Sequence, residues 1–389
     1  MVRKLVIDEP TIGNWAALDE AMVEEYYDGA FEPTVAVLDW PEEPGSISIG
    51  AHEDGDMMKT DVARDMDFHV SRRYGYGGSV GVYGPTIALF TLWFDAGDRE
   101  ISLDLLSRTS GEAIVEGVES YGVDAVYDHI GDVKYVVDDK QFKAVANAPV
   151  QFHGTDLWAI TVSVIWGELQ EEVGDVLDAA VRVPPEKFED KDEKTVTGRM
   201  KPLSKQFDQF GEEVSKTEFL DELIERNVDA ILDEPAAIKE VSPESVLEYV
   251  EATTPFYESD TWVNRRATSR MCRKQPADAT VGVAAYKSRK LIKASLILED
   301  DTIEDALITG DFFVRPHPTV TNNGAPQLLD DTIRGVDVSD RDALLEAVSA
   351  VFDRPDFEIP EVSPEDIVTA IVHAGENTMS VDEYLREHV

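Results

Sequence analysis

The chain is short of several things at once. Its 389 residues include one cysteine, Cys272, and seven histidines. A single thiol excludes an internal disulfide and fits a reducing compartment. No run approaches the roughly 18 consecutive apolar residues that a membrane-spanning helix requires. The opening stretch MVRKLVIDEPTIGNW has a basic start but neither a long apolar core nor a small-residue cleavage site, so a soluble, cytoplasmic protein is expected. Positive charge is scarce too. The 35 Lys+Arg stand against 79 Asp+Glu, for a formal net charge of -44. That imbalance excludes a general nucleic-acid binder, because a polyanion would be repelled over most of such a surface. The histidines are scattered and no acid pair stands out by ligand spacing, so no protein-held metal is expected. No Walker A lysine, dinucleotide fingerprint or G-x-S-x-G elbow is present.

Apolar material is plentiful. Hydrophobic residues make up 43% and aromatics 8%, too many for a disordered acidic tail. The length suits two domains of roughly 150 residues or more each. The acid excess runs from end to end, which fits a protein of an extreme halophile, where the screening length falls to about 3 Å at 1 M salt.

Patterning gives a helix from Asn14, capped by that residue, and strands at 34–38, 46–50, 86–93, 123–127, 133–137 and 157–166. Turn residues at 41–45 divide the first two strands. A helix is expected over 101–121, with Gly111 and Gly117 weakening its continuity, and another over 170–181. The charged stretch 184–194 reads as a solvated crossing segment. A second unit begins near 240–262, with strands at 281–286, 291–298 and 306–314. Helices follow at 340–352, 364–373 and 381–388, capped by Ser339, Ser363 and Ser380. The lack of a regular βαβ rhythm argues for an α+β fold.

Four segments could carry chemistry. In Ser71-Arg72-Arg73-Tyr74-Gly75-Tyr76-Gly77-Gly78-Ser79-Val80, glycines let the backbone approach an anion and two arginines oppose the acidic trend. A glycine-rich hairpin with ordinary surface arginines is the alternative. In Lys140-Gln141-Phe142-Lys143-Ala144-Val145-Ala146-Asn147-Ala148, a lysine beside small residues could neutralise a carboxylate and a phosphate; a solvated edge-strand lysine is the alternative. His153-Gly154-Thr155 opens a strand, where a histidine commonly packs or caps. The basic region 262–293, with Arg265, Arg266, Arg270, Arg273, Lys274, Lys287, Arg289, Lys290 and Lys293, is either a solvated face or a docking patch for an acidic partner.

Taken in order, these segments resemble the lipoate–protein ligase A family over nearly the whole chain. Asn14 with Ala17 to Ala21 is similar to the family's N-x-A-x-D-E-A helix, and Pro44 to Gly50 to its P-x-x-x-x-G strand. Arg72 to Val80 resembles R-R-x-S/T-G-G-G-A-V, and Gly131-Asp132-Val133 stands at the N-D-I/L position. Lys143 to Ala148 resembles K-I-S-G-N/S-A, Phe152 to Thr155 the H-G-T-L-L start, and Lys187 to Leu203 the end of the catalytic domain, with Arg199 at its arginine. Gly310-Asp311-Phe312-Phe313 resembles the G-D-F-F segment of the accessory domain. Tyr76 replaces a loop glycine, Gly75 a Ser/Thr and Gly131 an asparagine. The histidine expected after the loop is missing, with Val82 near its place.

The resemblance implies a mixed-sheet catalytic domain over 1–235 and a smaller α+β accessory domain over 240–389. It implies Lys143 as the catalytic lysine, although a register placing Gln141 there is also possible. Arg72, Arg73, Gly75, Tyr76, Gly77, Gly78, Ser79, Asp132, Ala146 and His153 would bind acid and nucleotide. Lipoate, ATP and Mg2+ would give lipoyl-AMP, and the acyl group would pass to a lysine of a lipoyl domain or glycine-cleavage H protein. Val80, Ile87 and Leu89 would line the acyl tunnel. An ATP-independent octanoyl or lipoyl transferase, a ligase for another acid such as biotin, and a non-catalytic acyl-binding protein are the alternatives.

Overall fold

The computed structural model describes residues 1–388 except 41–43, 85, 130, 138–139, 153, 189–200, 210–213, 233–236 and 318–323. The first elements are β1 (Val2–Asp8), α1 (Ile12–Tyr27), β2 (Thr34–Asp39), β3 (Ser46–Ile49), α2 (Thr60–Asp65), β4 (His69–Arg72), β5 (Val80–Val82) and β6 (Ile87–Asp95). Next come α3 (Leu103–Glu119), β7 (Ala125–His129), β8 (Asp132–Val137), β9 (Lys140–Gln151), β10 (Leu157–Ile165), α4 (Glu171–Ala180), α5 (Ser204–Gln209) and α6 (Lys216–Leu232). A connecting stretch holds β11 (Ile238–Glu240), α7 (Glu244–Tyr257), α8 (Asp260–Val263) and α9 (Thr268–Cys272). The chain ends with β12 (Thr280–Lys287), β13 (Leu291–Glu299), β14 (Thr302–Gly310), α10 (Gly324–Thr332), α11 (Arg341–Phe352), α12 (Pro364–Glu376), β15 (Thr378–Ser380) and α13 (Val381–His388).

The fold is α+β, as the patterning predicts. A mixed sheet of eight strands runs in the order β11-β1-β2-β6-β10-β9-β8-β7. Its central strands β6 and β10 are buried at nearly every position, which is why their sequences run apolar instead of alternating. A second sheet, β14-β13-β12-β15, belongs to the C-terminal part, and a small sheet, β4-β3-β5, stands beside the large one. Residues 73–79 link β4 to β5 on either side of β3, so the glycine-rich stretch is a loop at the end of that small sheet.

Helix α3 runs unbroken through both glycines because close packing requires them. A Cβ at Gly111 would lie 2.2 Å from the Tyr127 ring, and one at Gly117 2.5 Å from Leu223. Several expected boundaries move. Thr11, not Asn14, is the cap of α1; Asn14 stands three residues in and its Oδ1 accepts the Thr11 N–H at 2.6 Å. Asp340 caps α11 in place of Ser339, whose hydroxyl donates to Asp337. Ser363 and Ser380 do accept N–H bonds at the starts of α12 and α13. The strand expected at 306–314 is β14, which stops at Gly310: a side chain there would strike Leu291 O at 2.1 Å, and the following residues turn back toward the large sheet.

β11 pairs with β1 in the large sheet, and the Gly13 N–H at the start of α1 donates to Glu258 just past α7 (3.2 Å). The second sheet begins at Thr280. Among the described residues no helix is long and apolar enough to cross a membrane. Residues 41–43 of the turn expected at 41–45 and 189–194 of the charged crossing segment fall outside those described; Pro185–Phe188 of that segment form one 3-10 turn.

Candidate functional site

The glycine loop is held from inside by its own arginines. Arg72, buried at the end of β4, donates from Nη1 to Gly50 O (2.8 Å) and Glu53 O (2.7 Å), and from Nε and Nη2 to Val263 O (3.0 and 2.8 Å). Arg73 donates to Ser48 O (3.1 Å), Tyr76 O (2.7 Å) and Gly78 O (2.8 Å). Burial lowers their pKa values to about 9 and about 10, so both remain cations at neutral pH. Charged donors to carbonyls make strong bonds. The expected role of the pair was to hold an anion; in this structure their guanidinium groups shape the loop.

The remaining loop residues explain its tightness. Gly75 O accepts the Ala51 N–H (3.0 Å). Gly77 has φ +88, and a Cβ at Gly50 would lie 1.8 Å from Gly77 O, so the two backbones cross where only glycine fits. The buried Glu53 carboxylate accepts both the Gly50 N–H (3.1 Å) and the Ser79 hydroxyl (2.6 Å). Tyr76 points its ring into the molecule. It stacks on His52 (5.2 Å), approaches His317 (5.1 Å), meets Phe313 edge-on (5.5 Å) and donates its hydroxyl to Val314 O. Burial, aided by the charges of His317 and Arg266, holds His52 well below the usual histidine pKa. His52 is therefore a neutral ring in an aromatic stack.

Across from this loop, the β8–β9 hairpin carries the lysine. Gly131, at φ +94, donates its N–H to Ser107 Oγ (3.1 Å) and accepts the Asn147 N–H (3.1 Å). Ser107 and Asn147 also bond each other, at 2.6 and 2.8 Å, so a buried pair fixes the turn. Asp132 lies opposite Ala146, and a bulge after Val133 brings Lys134 opposite Lys143. The Lys143 Nζ then meets Asp132 Oδ1 at 2.5 Å, with the lysine side chain 37% exposed. Of the two candidate registers, it is Lys143 whose amine meets the carboxylate; Gln141 lies opposite Val136.

Between the two halves stands a segment from the C-terminal part. The Phe313 ring touches Tyr76 on one side, and its Cζ comes within 3.0 Å of where a Cβ on Gly131 would be. His317 is buried among Tyr74, Tyr76 and Phe152, with Nε2 2.5 Å from Tyr74 O. The loop and the Gly131 turn of the lysine hairpin therefore both meet Phe313. His153 and Arg199 lie outside the described residues. Ile87, Leu89 and Val82 belong to the apolar core, and Val80 packs against it.

The basic region does not form one patch. Arg266 is buried against Asp330 (2.9 Å), Arg265 lies over the Trp262 ring (4.4 Å) and Lys293 pairs with the buried Asp54 (2.5 Å). Arg270, Arg273, Lys274 and Arg289 are exposed. Of the nine expected docking charges, one is thus buried, four are half-buried and four are exposed. Among the described residues no group of three or more His, Cys, Asp or Glu side chains could hold a metal ion. Sequence reasoning missed Glu53, His52, Ser107, Phe313 and His317. The nearest signal for the first two was the Gly50–Asp56 turn directly after a strand, which the acidic background disguises.

No family model and no curated protein sequence matches the chain. Solved structures do. LipL1 of Plasmodium falciparum, solved in complex with lipoate, superposes with a TM-score of 0.64 at 14% identity, covering 96% of this chain and 99% of that one. A bi-partite lipoate–protein ligase of Thermoplasma acidophilum, solved as part of a lipoylation system with its E2 lipoyl domain, gives 0.51 at 21% identity over 67% of this chain and 96% of that one. Lipoate–protein ligase A bound with ATP gives 0.50 at 17% identity over 67% and 98%. The agreement with LipL1 runs through both sheets, and the chain has the fold of the lipoate–protein ligases.

Proposed function

We propose that the chain is an ATP-dependent lipoate–protein ligase, with residues 1–235 as its catalytic domain and 240–389 as its accessory domain. The observation that carries the reading is the Lys143–Asp132 pair beside the buttressed Gly131 turn, on a fold shared over 96% of the chain with a protein solved in complex with lipoate. The lipoate carboxylate attacks the α-phosphorus of ATP, and pyrophosphate leaves with the electrons of the broken P–O bond. The amine of a carrier lysine then attacks the acyl carbonyl, AMP leaves, and the amine gives up a proton. Lys143, held in place by Asp132, donates to the carbonyl and phosphate oxygens as negative charge builds there. The glycine loop, fixed by Arg72, Arg73 and Glu53, offers its backbone N–H groups to the anion. Magnesium would arrive on the nucleotide phosphates. Phe313 and His317 lie against Tyr76 beside the loop. The lipoyl domain solved with the Thermoplasma neighbour supports a carrier of that kind here.

The test is pyrophosphate release by the purified chain with ATP, magnesium and lipoate. Release that depends on lipoate supports the ligase. Acyl transfer from a loaded carrier without ATP would assign an acyltransferase instead, and lipoate binding with neither reaction a non-catalytic binder.

A further inference from the structure

The turn Gly50–Asp56 faces two ways. Toward the glycine loop, its Gly50, Ala51 and Glu53 carbonyls accept from Arg72, its Ala51 N–H donates to Gly75 O, and its Glu53 carboxylate holds Ser79. Toward the C-terminal part, the interleaved residues do the opposite work. His52 O accepts the Gly310 N–H (3.0 Å), and the Gly55 N–H donates to Arg266 O (2.7 Å). Asp54, fully buried, accepts from the Thr268 N–H (3.0 Å), the Thr268 hydroxyl (2.5 Å) and the Lys293 ammonium (2.5 Å). Asp56 accepts from the Ser269 N–H and hydroxyl (both 2.6 Å) and from the Tyr384 hydroxyl (3.0 Å). His52 joins the two sides by lying against both Tyr76 and Phe312.

We propose that this turn makes Asp54 and Lys293 positioning residues for the glycine loop, so that docking of the accessory domain sets the shape of the acid-binding loop. Two features support it. The turn is short and bonded on both faces, so a shift at Asp54 cannot be absorbed before Glu53 and Gly50, where side chains and backbone already touch. The Asp54–Lys293 pair is buried, so removing one partner leaves a charge without its partner, a strained state relieved by moving the turn. Coupling of this kind is reciprocal: whatever tightens the loop also favours the docked accessory domain. The proposal rests on reading the glycine loop as the acid's pocket, yet its primary test needs no substrate.

Hydrogen exchange of the full chain, followed by mass spectrometry without ligands, reads it directly. Peptides covering 50–53 and 70–80 report the Ala51 and Arg73 N–H bonds. In Lys293→Met, exchange there rises tenfold or more, while Lys293→Arg restores the wild-type pattern. The double variant Asp54→Asn with Lys293→Met removes the pair without stranding a charge, so exchange at 50–53 and 70–80 rises above the wild type but less than in Lys293→Met. Arg334→Ala, which breaks an exposed pair with Asp305 on β14, leaves peptides 50–53 and 70–80 unchanged. Wild-type exchange at 50–53 and 70–80 in Lys293→Met overturns the coupling, whether or not peptides from 291–299 loosen. In an active preparation, the same variant raises KM for lipoate several-fold with a smaller change in kcat. An inactive wild-type chain would sink the ligase reading and leave the exchange result standing.

Discussion

Lys143 and Asp19 show how differently one charge behaves in and out of water. The Lys143–Asp132 pair is over a third exposed on the lysine side, and exposed pairs contribute about 0–1 kcal/mol. Lys143→Met should therefore leave the urea midpoint close to wild type yet cut lipoate-dependent pyrophosphate release by about 100-fold or more; equal loss of stability and activity would make the lysine merely structural. Asp19 is buried, with the Trp93 indole N–H donating to its Oδ1 (2.9 Å). Burial, only partly offset by that bond, raises its pKa from 3.8 to about 8. The folded chain thus keeps a proton that the unfolded chain releases, and stability falls as pH rises between those two values. Asp19→Asn keeps an acceptor for Trp93 and removes the titration. Urea unfolding of both proteins should show the variant gaining on the wild type from pH 4 to pH 8 and no further above it; a constant difference would place the carboxyl in water. Of these residues Lys143 could be singled out as a candidate from the small residues that follow it and from the resemblance over 143–148. Glu53 was not, being one acid among 79 Asp+Glu, with its role fixed only by contacts to Gly50 and Ser79.

Among the elements, the central strands could be read from composition because burial on both faces leaves one solution, a continuous apolar run. Helix α3 was readable in extent but not in reason. Its glycines look like breaks, and their use is visible only once β7 and α6 lie against them. Gly111→Ala tests this: helix propensity alone favours alanine by up to ~1 kcal/mol, whereas a Cβ 2.2 Å from the Tyr127 ring should cost about 1–3 kcal/mol by overpacking. Thermal unfolding should show a lower Tm; a higher one would mean the ring moves aside freely. The caps illustrate a finer limit. Thr11 and Asn14, like Ser339 and Asp340, are each acceptable caps, and only the path of the preceding chain selects between them.

For the whole molecule, a net charge of -44 imposes self-repulsion that salt must screen. Raising KCl from about 0.1 M to about 2 M shrinks the screening length from about 10 Å to under 3 Å, and Tm should rise over that interval; a flat or falling Tm would mean the acids are balanced locally. The least legible feature was also a global one. The resemblance implied that loop and lysine serve the same substrates, but nothing in it announced that Phe313 and His317 of the C-terminal part lie against the loop, since contacts between segments far apart in sequence leave no local pattern. Likewise the basic cluster could not be divided into buried Arg266 and exposed Arg270 from charge alone. A lipoate–protein ligase leaves one diagnostic product. Mass spectrometry of a lipoyl domain incubated with the chain, lipoate, ATP and magnesium should find a lipoyl amide on one lysine, lost when ATP is omitted or Lys143 is replaced. An unmodified domain under saturating substrates, or modification that persists without ATP, would contradict it.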